Sequence, residues 1–163
     1  MVEKKNEKIC CPRFNPNGWN EKEIILKNKL FVKVNVITLF HIPLNFGMVM
    51  KTVCKKIDEQ KAGVDPKDWL MLSDEHSNWK STQYIAIKKE IKGMKNVRLS
   101  GKFLTKVYEG SYKDCGKWYK DIIDYTKRKT GKDPKKIFAY YTTCPKCAKK
   151  YGKNYVVMFA QVL

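Results

Sequence analysis

Polar and apolar positions along this chain follow two different periods, and the switches between them mark its elements. From Leu30 to Phe40 the period is two. Val32, Val34, Val36, Thr38 and Phe40 alternate with Phe31, Lys33, Asn35, Ile37 and Leu39, as in a strand with one buried face. The far end of this run is apolar on both sides, which predicts burial there. His41-Ile42-Pro43-Leu44-Asn45 breaks the pattern. From Phe46 to Gln60 the period becomes helical, with Phe46, Val49, Met50, Val53, Cys54 and Ile57 at offsets 0, 3, 4, 7, 8 and 11. One face of that helix is therefore apolar. Asn45 stands where a side chain can cap the free backbone amides of the first turn.

Two short strands follow, Trp69–Leu72 and Tyr84–Lys88, joined by the polar run Ser73 to Trp79. Val97–Tyr108 reads as a longer strand bent at Gly101. Glu109-Gly110-Ser111-Tyr112 turns it into a helix over Asp114–Lys129, whose Cys115, Trp118, Tyr119, Ile122, Ile123 and Thr126 share one face. After Thr130-Gly131-Lys132-Asp133-Pro134, Ile137–Thr143 and Asn154–Leu163 form a terminal hairpin around Cys144–Gly152. The order is strand, helix, strand, strand, repeated once. Two such halves set edge to edge predict an α+β fold in which duplicated β-α-β-β units form an antiparallel sheet with two helices packed on one face. Residues 1–28, with a Pro-Asn-Gly turn at positions 16–18, read as an irregular extension, and 29–163 as one domain.

Bulk properties narrow the class. At 163 residues, 43% hydrophobic and 31% charged, the chain is globular in composition and long enough for a sizeable core. No apolar run is long enough to span a bilayer, and Met1–Ile9 lacks a signal-peptide core, so the expectation is a cytoplasmic protein with no membrane partner. The net charge of +18 raises the question of nucleic acid. Of the 34 basic residues only Arg13, Arg98 and Arg128 are arginine, and arginine is the residue suited to bidentate reading of bases and phosphates. The lysines are also spread over the whole chain. Diffuse lysine charge favours solubility and weak association over specific nucleic-acid recognition.

The stretch Val107-Tyr108-Glu109-Gly110-Ser111-Tyr112, followed by a helix carrying Trp118 and Tyr119, resembles the second half of GyrI-like small-molecule-binding domains. Those domains place a Gly-Pro-Tyr turn between the strand and the helix, and Ser111 stands where proline is usual. The resemblance extends over residues 29–163 and implies the same duplicated architecture, with a hydrophobic or aromatic small molecule bound between the halves. Many members also carry a late Glu-x-Tyr-x-x-x-Pro motif whose glutamate meets the ligand. Here Tyr141 and Pro145 match it, while Ala139 takes the glutamate position. Some members resemble hydrolases that open strained rings with a carboxylate, a stacking aromatic and tyrosine donors. In those roles the resemblance suggests Glu109 or Glu75, with Trp79 and Tyr141.

The residues themselves point the same way. Trp79, Tyr84, Tyr108, Tyr112, Trp118 and Tyr141 supply flat apolar surface with polar tips, the composition of a ligand-binding wall. Glu109 and Glu75 are the acids beside them, and a partly buried carboxylate can act as a general base on water. Catalysis is left open, and no cofactor is required by this chemistry. A competing class is a basic module without catalysis that meets a protein or nucleic acid. The cysteines add one more candidate. Cys144-Pro-Lys-Cys147 has the spacing of a zinc knuckle, with Cys10-Cys11 as the source of further thiolates for a structural zinc.

Overall fold

The computed structural model describes residues 13–163. Seven strands and three helices follow one another as β1 (Lys22–Leu39), β2 (Ile42–Pro43), α1 (Phe46–Glu59), β3 (Met71–Asp74), β4 (Lys80–Ala86), β5 (Lys95–Glu109), α2 (Cys115–Thr130), β6 (Lys136–Tyr141), α3 (Pro145–Tyr151) and β7 (Tyr155–Gln161). All pairings are antiparallel, in the order β2-β1-β4-β3-β6-β7-β5, and β1 pairs with β5 as well. The sheet therefore curls until its ends meet. The α+β architecture of two β-α-β-β halves is the one the sequence order implies.

Closure divides the strand residues into an inner and an outer set. Phe31, Leu72, Tyr84, Phe103, Phe138, Tyr140, Val157 and Phe159 pack together inside the ring. Their rings meet edge to face, Tyr84 on Phe138 at 5.5 Å and Phe103 on Phe159 at 6.0 Å between centroids, the geometry aromatic quadrupoles prefer. Trp19, from the turn at Pro16–Gly18, closes this core against Tyr140 and Phe159. The interior is thus filled by its own side chains. Both long helices lie outside. Val53 and Ile57 of α1 pack on Leu30, Val32 and Ile85, while Trp118, Ile122 and Tyr125 of α2 pack on Ala139, Val156, Met158 and Ala160.

Local departures from the sequence pattern have physical causes. The first strand starts at Lys22, eight residues before its regular alternation, because a bulge between Leu26 and Lys29 inverts the parity. Asn28 takes a positive φ of 52° there, and Leu26 and Phe31, five positions apart, face the same interior. Strand β4 begins at Lys80 among Ser81, Thr82 and Gln83, polar residues that are nonetheless buried. Asn45 does not cap α1; its Oδ1 accepts from the Ile37 amide at 2.8 Å and ties the helix to β1. The segment read as a bare hairpin tip contains α3, opened by Pro145 and ended by Gly152 in the left-handed conformation (φ 72°). Among the described residues no helix is long and apolar enough to cross a membrane.

Candidate functional site

The two halves join along the β3–β6 seam, where Ser73 is the direct partner of Ala139. Across the outer face this pair belongs to one row of register partners, Val34, Gln83, Ser73, Ala139, Met158 and Lys106. At the seam the row is made of small side chains. In an antiparallel pair, residues two places beyond partnered positions are related by the local two-fold axis and share a face. Glu75 lies two beyond Ser73, and Tyr141 two beyond Ala139. Their side chains meet: the Tyr141 hydroxyl donates to Glu75 Oε1. A carboxylate from one half and a phenol from the other thus close over the small pair between them.

Helix α2 supplies the facing wall. The Gly110–Ser111 turn aims it, with Ser111 Oγ accepting from the Lys113 amide at 3.3 Å to open a short 3-10 turn ahead of the helix. Cys115 and Tyr119, one turn apart, then face the seam. Burial, with Glu75 as the next cause, pushes the Cys115 thiol up to about 11. Burial and the charge of Glu75 likewise raise Tyr119 and Tyr141 above the ordinary phenol range. All three groups hold their protons at neutral pH, and of them the Tyr141 hydroxyl donates to Glu75. The Tyr119 hydroxyl is buried without a partner among the described residues.

Beside this cluster runs an open groove of about 450 Å³, lined by Asp74, Glu75, Tyr119, Ile123, Asp133, Pro134, Lys136 and Ile137. Lys136 Nζ contacts Asp74 Oδ2 at 2.8 Å, and Lys127 reaches Asp133 at 3.8 Å. With Asp74 and Asp133 each paired to a lysine, Glu75 is the groove carboxylate that no lysine pairs among the described residues, and it gives the lining its net negative charge. Elsewhere the chain is strongly basic.

The structure brings together some of the residues singled out by sequence and separates others. Glu75 and Tyr141 meet, and the ring of Tyr112 lies against Tyr141 at 5.5 Å. Glu109 is exposed at the end of β5, where its backbone pairs with Tyr155. Tyr108 and Trp118 stack on each other at 5.6 Å between β5 and α2, and the Tyr108 hydroxyl donates to Asp121 at 2.7 Å. Tyr84 lies in the interior of the ring, with Lys33 and Lys136 over its face. Trp79 is exposed and rests on Phe40. Cys144 precedes the first turn of α3 and Cys147 is buried within it. Cys10 and Cys11 lie outside the described residues, and among those described no group of three or more metal-ligating side chains forms. Sequence reasoning did not single out Asp74, Cys115, Asp133 or Lys136 as site residues. The adjacent acids Asp74-Glu75 at a strand end were the available signal.

In fold the chain is similar to SAV2435, whose structure was solved bound to tetraphenylphosphonium. The identity is 12% and the TM-score 0.52, over 87% of this chain and 93% of that one. At that identity the likeness is one of fold. No curated protein matches by sequence. The family model described as "Bacterial hydrolase" matches residues 1–162, and the chain belongs to that family.

Proposed function

We propose that this protein binds a small, largely apolar organic cation in the groove between α2 and the β3–β6 seam. Glu75 is the counter-charge, and Tyr119, Ile123 and Ile137 form the apolar wall. One observation carries this reading: in a chain of net charge +18, Glu75 lines a groove beside Asp74 and Asp133 and, unlike them, is paired with no lysine among the described residues. Such a local reversal of sign concentrates cations where the surrounding surface repels them. The aromatic and aliphatic lining favours an apolar body around that charge. Tetraphenylphosphonium, the ligand of SAV2435, is a molecule of this kind. Titration of tryptophan fluorescence with tetraphenylphosphonium tests the proposal. Saturation at one site, weakened in Glu75→Gln, is expected; absence of saturable binding overturns it.

Hydrolysis of a bound electrophile is the catalytic extension of this reading, supported by the family description. Glu75 takes a proton from water as the water oxygen attacks the electrophilic carbon, and the bond to the leaving group breaks. The Tyr141 hydroxyl, which keeps its proton, turns from Glu75 to the leaving group as Glu75 takes up the water proton, and stabilises the charge that develops there. Cys115 is a poor nucleophile here, because its thiol stays neutral well above pH 7. Turnover of a strained-ring electrophile by the wild type, abolished in Glu75→Gln, supports the extension. Equal turnover by both proteins sinks it without touching the binding proposal.

A further inference from the structure

The far end of β1, expected to be buried because it is apolar on both sides, is instead exposed at Ile37, Leu39 and Phe40, so the surface there is apolar where it would ordinarily be polar. The β1–β2 hairpin, the first turn of α1 and the β3–β4 loop converge there. Phe40 is 65% exposed, Ile42 64%, Leu44 61%, Met48 68% and Trp79 59%. These are neighbours rather than scattered residues. Leu39 pairs with Ile42, the Leu44 amide donates to the Ile37 carbonyl at 2.9 Å, and the Thr38 amide donates to the Trp79 carbonyl at 2.9 Å. The rings of Phe40 and Trp79 lie 5.4 Å apart. The tip is held at a cost, since Phe40 and His41 both have positive φ (47° and 66°). Two-residue hairpin turns of this kind normally use Asn or Gly. A phenylalanine kept in that conformation and left in solvent points to a use for the exposed ring.

The charge around the patch selects the occupant. No acidic residue occurs in the β1–β2 hairpin (residues 38–43) or in the first three turns of α1, which carries Lys51, Lys55 and Lys56, and the two acids at the start of the β3–β4 connection are engaged elsewhere, Asp74 by Lys136 and Glu75 by Tyr141. Met48, Lys51 and Lys55 share one stripe of α1, and exposed Lys80 follows Trp79. A second copy of the chain would bring like charges together across the contact. Lysines without arginines suit a diffuse field of negative charge better than fixed bidentate partners. Tryptophan and phenylalanine beside lysine is the composition that settles at a lipid interface.

We propose that this tip docks the protein peripherally on an anionic phospholipid surface. Phe40, Ile42, Leu44 and Trp79 enter the headgroup layer, and Lys51, Lys55 and Lys80 contact the lipid phosphates. The proposal is independent of what occupies the acidic groove. Sedimentation with vesicles of phosphatidylcholine, with and without one-third phosphatidylglycerol, tests it at about 0.15 M ionic strength. The wild type is expected to sediment with the anionic vesicles only, and Phe40→Ser with Ile42→Ser to lower the partition coefficient at least tenfold. Lipids brominated near the headgroup should quench the wild type more than Trp79→Phe. Because the substituted side chains are exposed, the thermal midpoint should be unchanged; should it fall, Met48→Ser provides the same comparison. Equal sedimentation of variant and wild type would reduce the effect to charge alone and overturn the proposal. So would a failure to bind anionic vesicles. A concentration-dependent dimer abolished by the same substitutions would overturn it in favour of a second copy.

Discussion

Replacing Glu75 by glutamine tests the electrostatic core of the binding proposal while sparing the fold. The Tyr141 hydroxyl that donates to Glu75 Oε1 retains an amide oxygen to bind. The stability cost is then the difference between a charged and a neutral hydrogen bond, about 1 kcal/mol. The effect on a bound cation is larger. A cationic centre about 5 Å from the carboxylate, at an effective dielectric constant near 20, is worth about 3 kcal/mol. The groove is open on one side, and Lys136 stands near, so screening lowers this to about 1.5–2 kcal/mol. That corresponds to a ten- to thirty-fold weaker association constant. Calorimetric titration of wild type and Glu75→Gln with tetraphenylphosphonium, and with the neutral triphenylphosphine oxide, separates charge from shape. The cation should lose affinity and the neutral compound should not. Equal losses would show that Glu75 acts through packing. An unchanged cation affinity would place the ligand elsewhere.

Three other perturbations follow from the architecture. Ile122 of α2 is fully buried against the strands of the second half, so Ile122→Ala should lower unfolding free energy by about 3 kcal/mol in denaturant titration; a loss under about 1 kcal/mol would mean that α2 is not anchored there. Gly101 has φ +157°, and a Cβ added to it would stand 2.6 Å from the Leu163 carbonyl oxygen, so Gly101→Ala should destabilise by about 1–3 kcal/mol and loosen the C-terminal contact seen by amide exchange. The Cys115 thiol, pushed up to about 11, should react with iodoacetamide slowly through pH 9 and accelerate only toward pH 11. Its folded-state value exceeds the unfolded one, so the stability it contributes is present below pH 9 and is lost as pH rises toward 11. Glu75→Gln should move the alkylation midpoint down, and an unmoved midpoint would show that Glu75 does not act on the thiol.

Much of the architecture is written in local periods, and the failures fall where long-range geometry decides. The helices α1 and α2 announce themselves because packing on a curved sheet needs one apolar stripe each, which Val53 with Ile57 and Trp118 with Ile122 provide. The early part of β1 is hidden, because a bulge inverts the alternation that betrays a strand. The start of β4 is hidden for a different reason. Gln83 Nε2 reaches Ser73 at 2.9 Å and Ser81 at 3.2 Å, so a polar stretch that reads as a loop is a buried ladder held by its own hydrogen bonds, although Gln83 Oε1 has no partner among the described residues. The signals for α3 were present in Pro145 and Gly152, but a seven-residue helix rich in lysine carries no apolar stripe. In the candidate site, Glu75 and Tyr141 were legible as residue types. Their meeting was not, because residues 66 positions apart are brought together only by the register of Ser73 on Ala139.

That register also bears on what the two positions beside the small pair hold. The local two-fold at the seam gives each half one position from which a side chain can reach over the small pair, occupied by Glu75 in one and Tyr141 in the other. Two glutamates there would repel each other, and one would take up a proton, so the second acid would add no charge for a cation. Two tyrosines would give donors and no charge. One of each supplies a carboxylate and a neutral donor that holds it in place, so the duplicated frame serves best when its symmetry is broken at this position. The glutamate of the Glu-x-Tyr-x-x-x-Pro pattern, replaced here by Ala139, would have projected from β6 at the middle of the same row. Glu75 brings a carboxylate to that place from β3, and Ala139 leaves it the room.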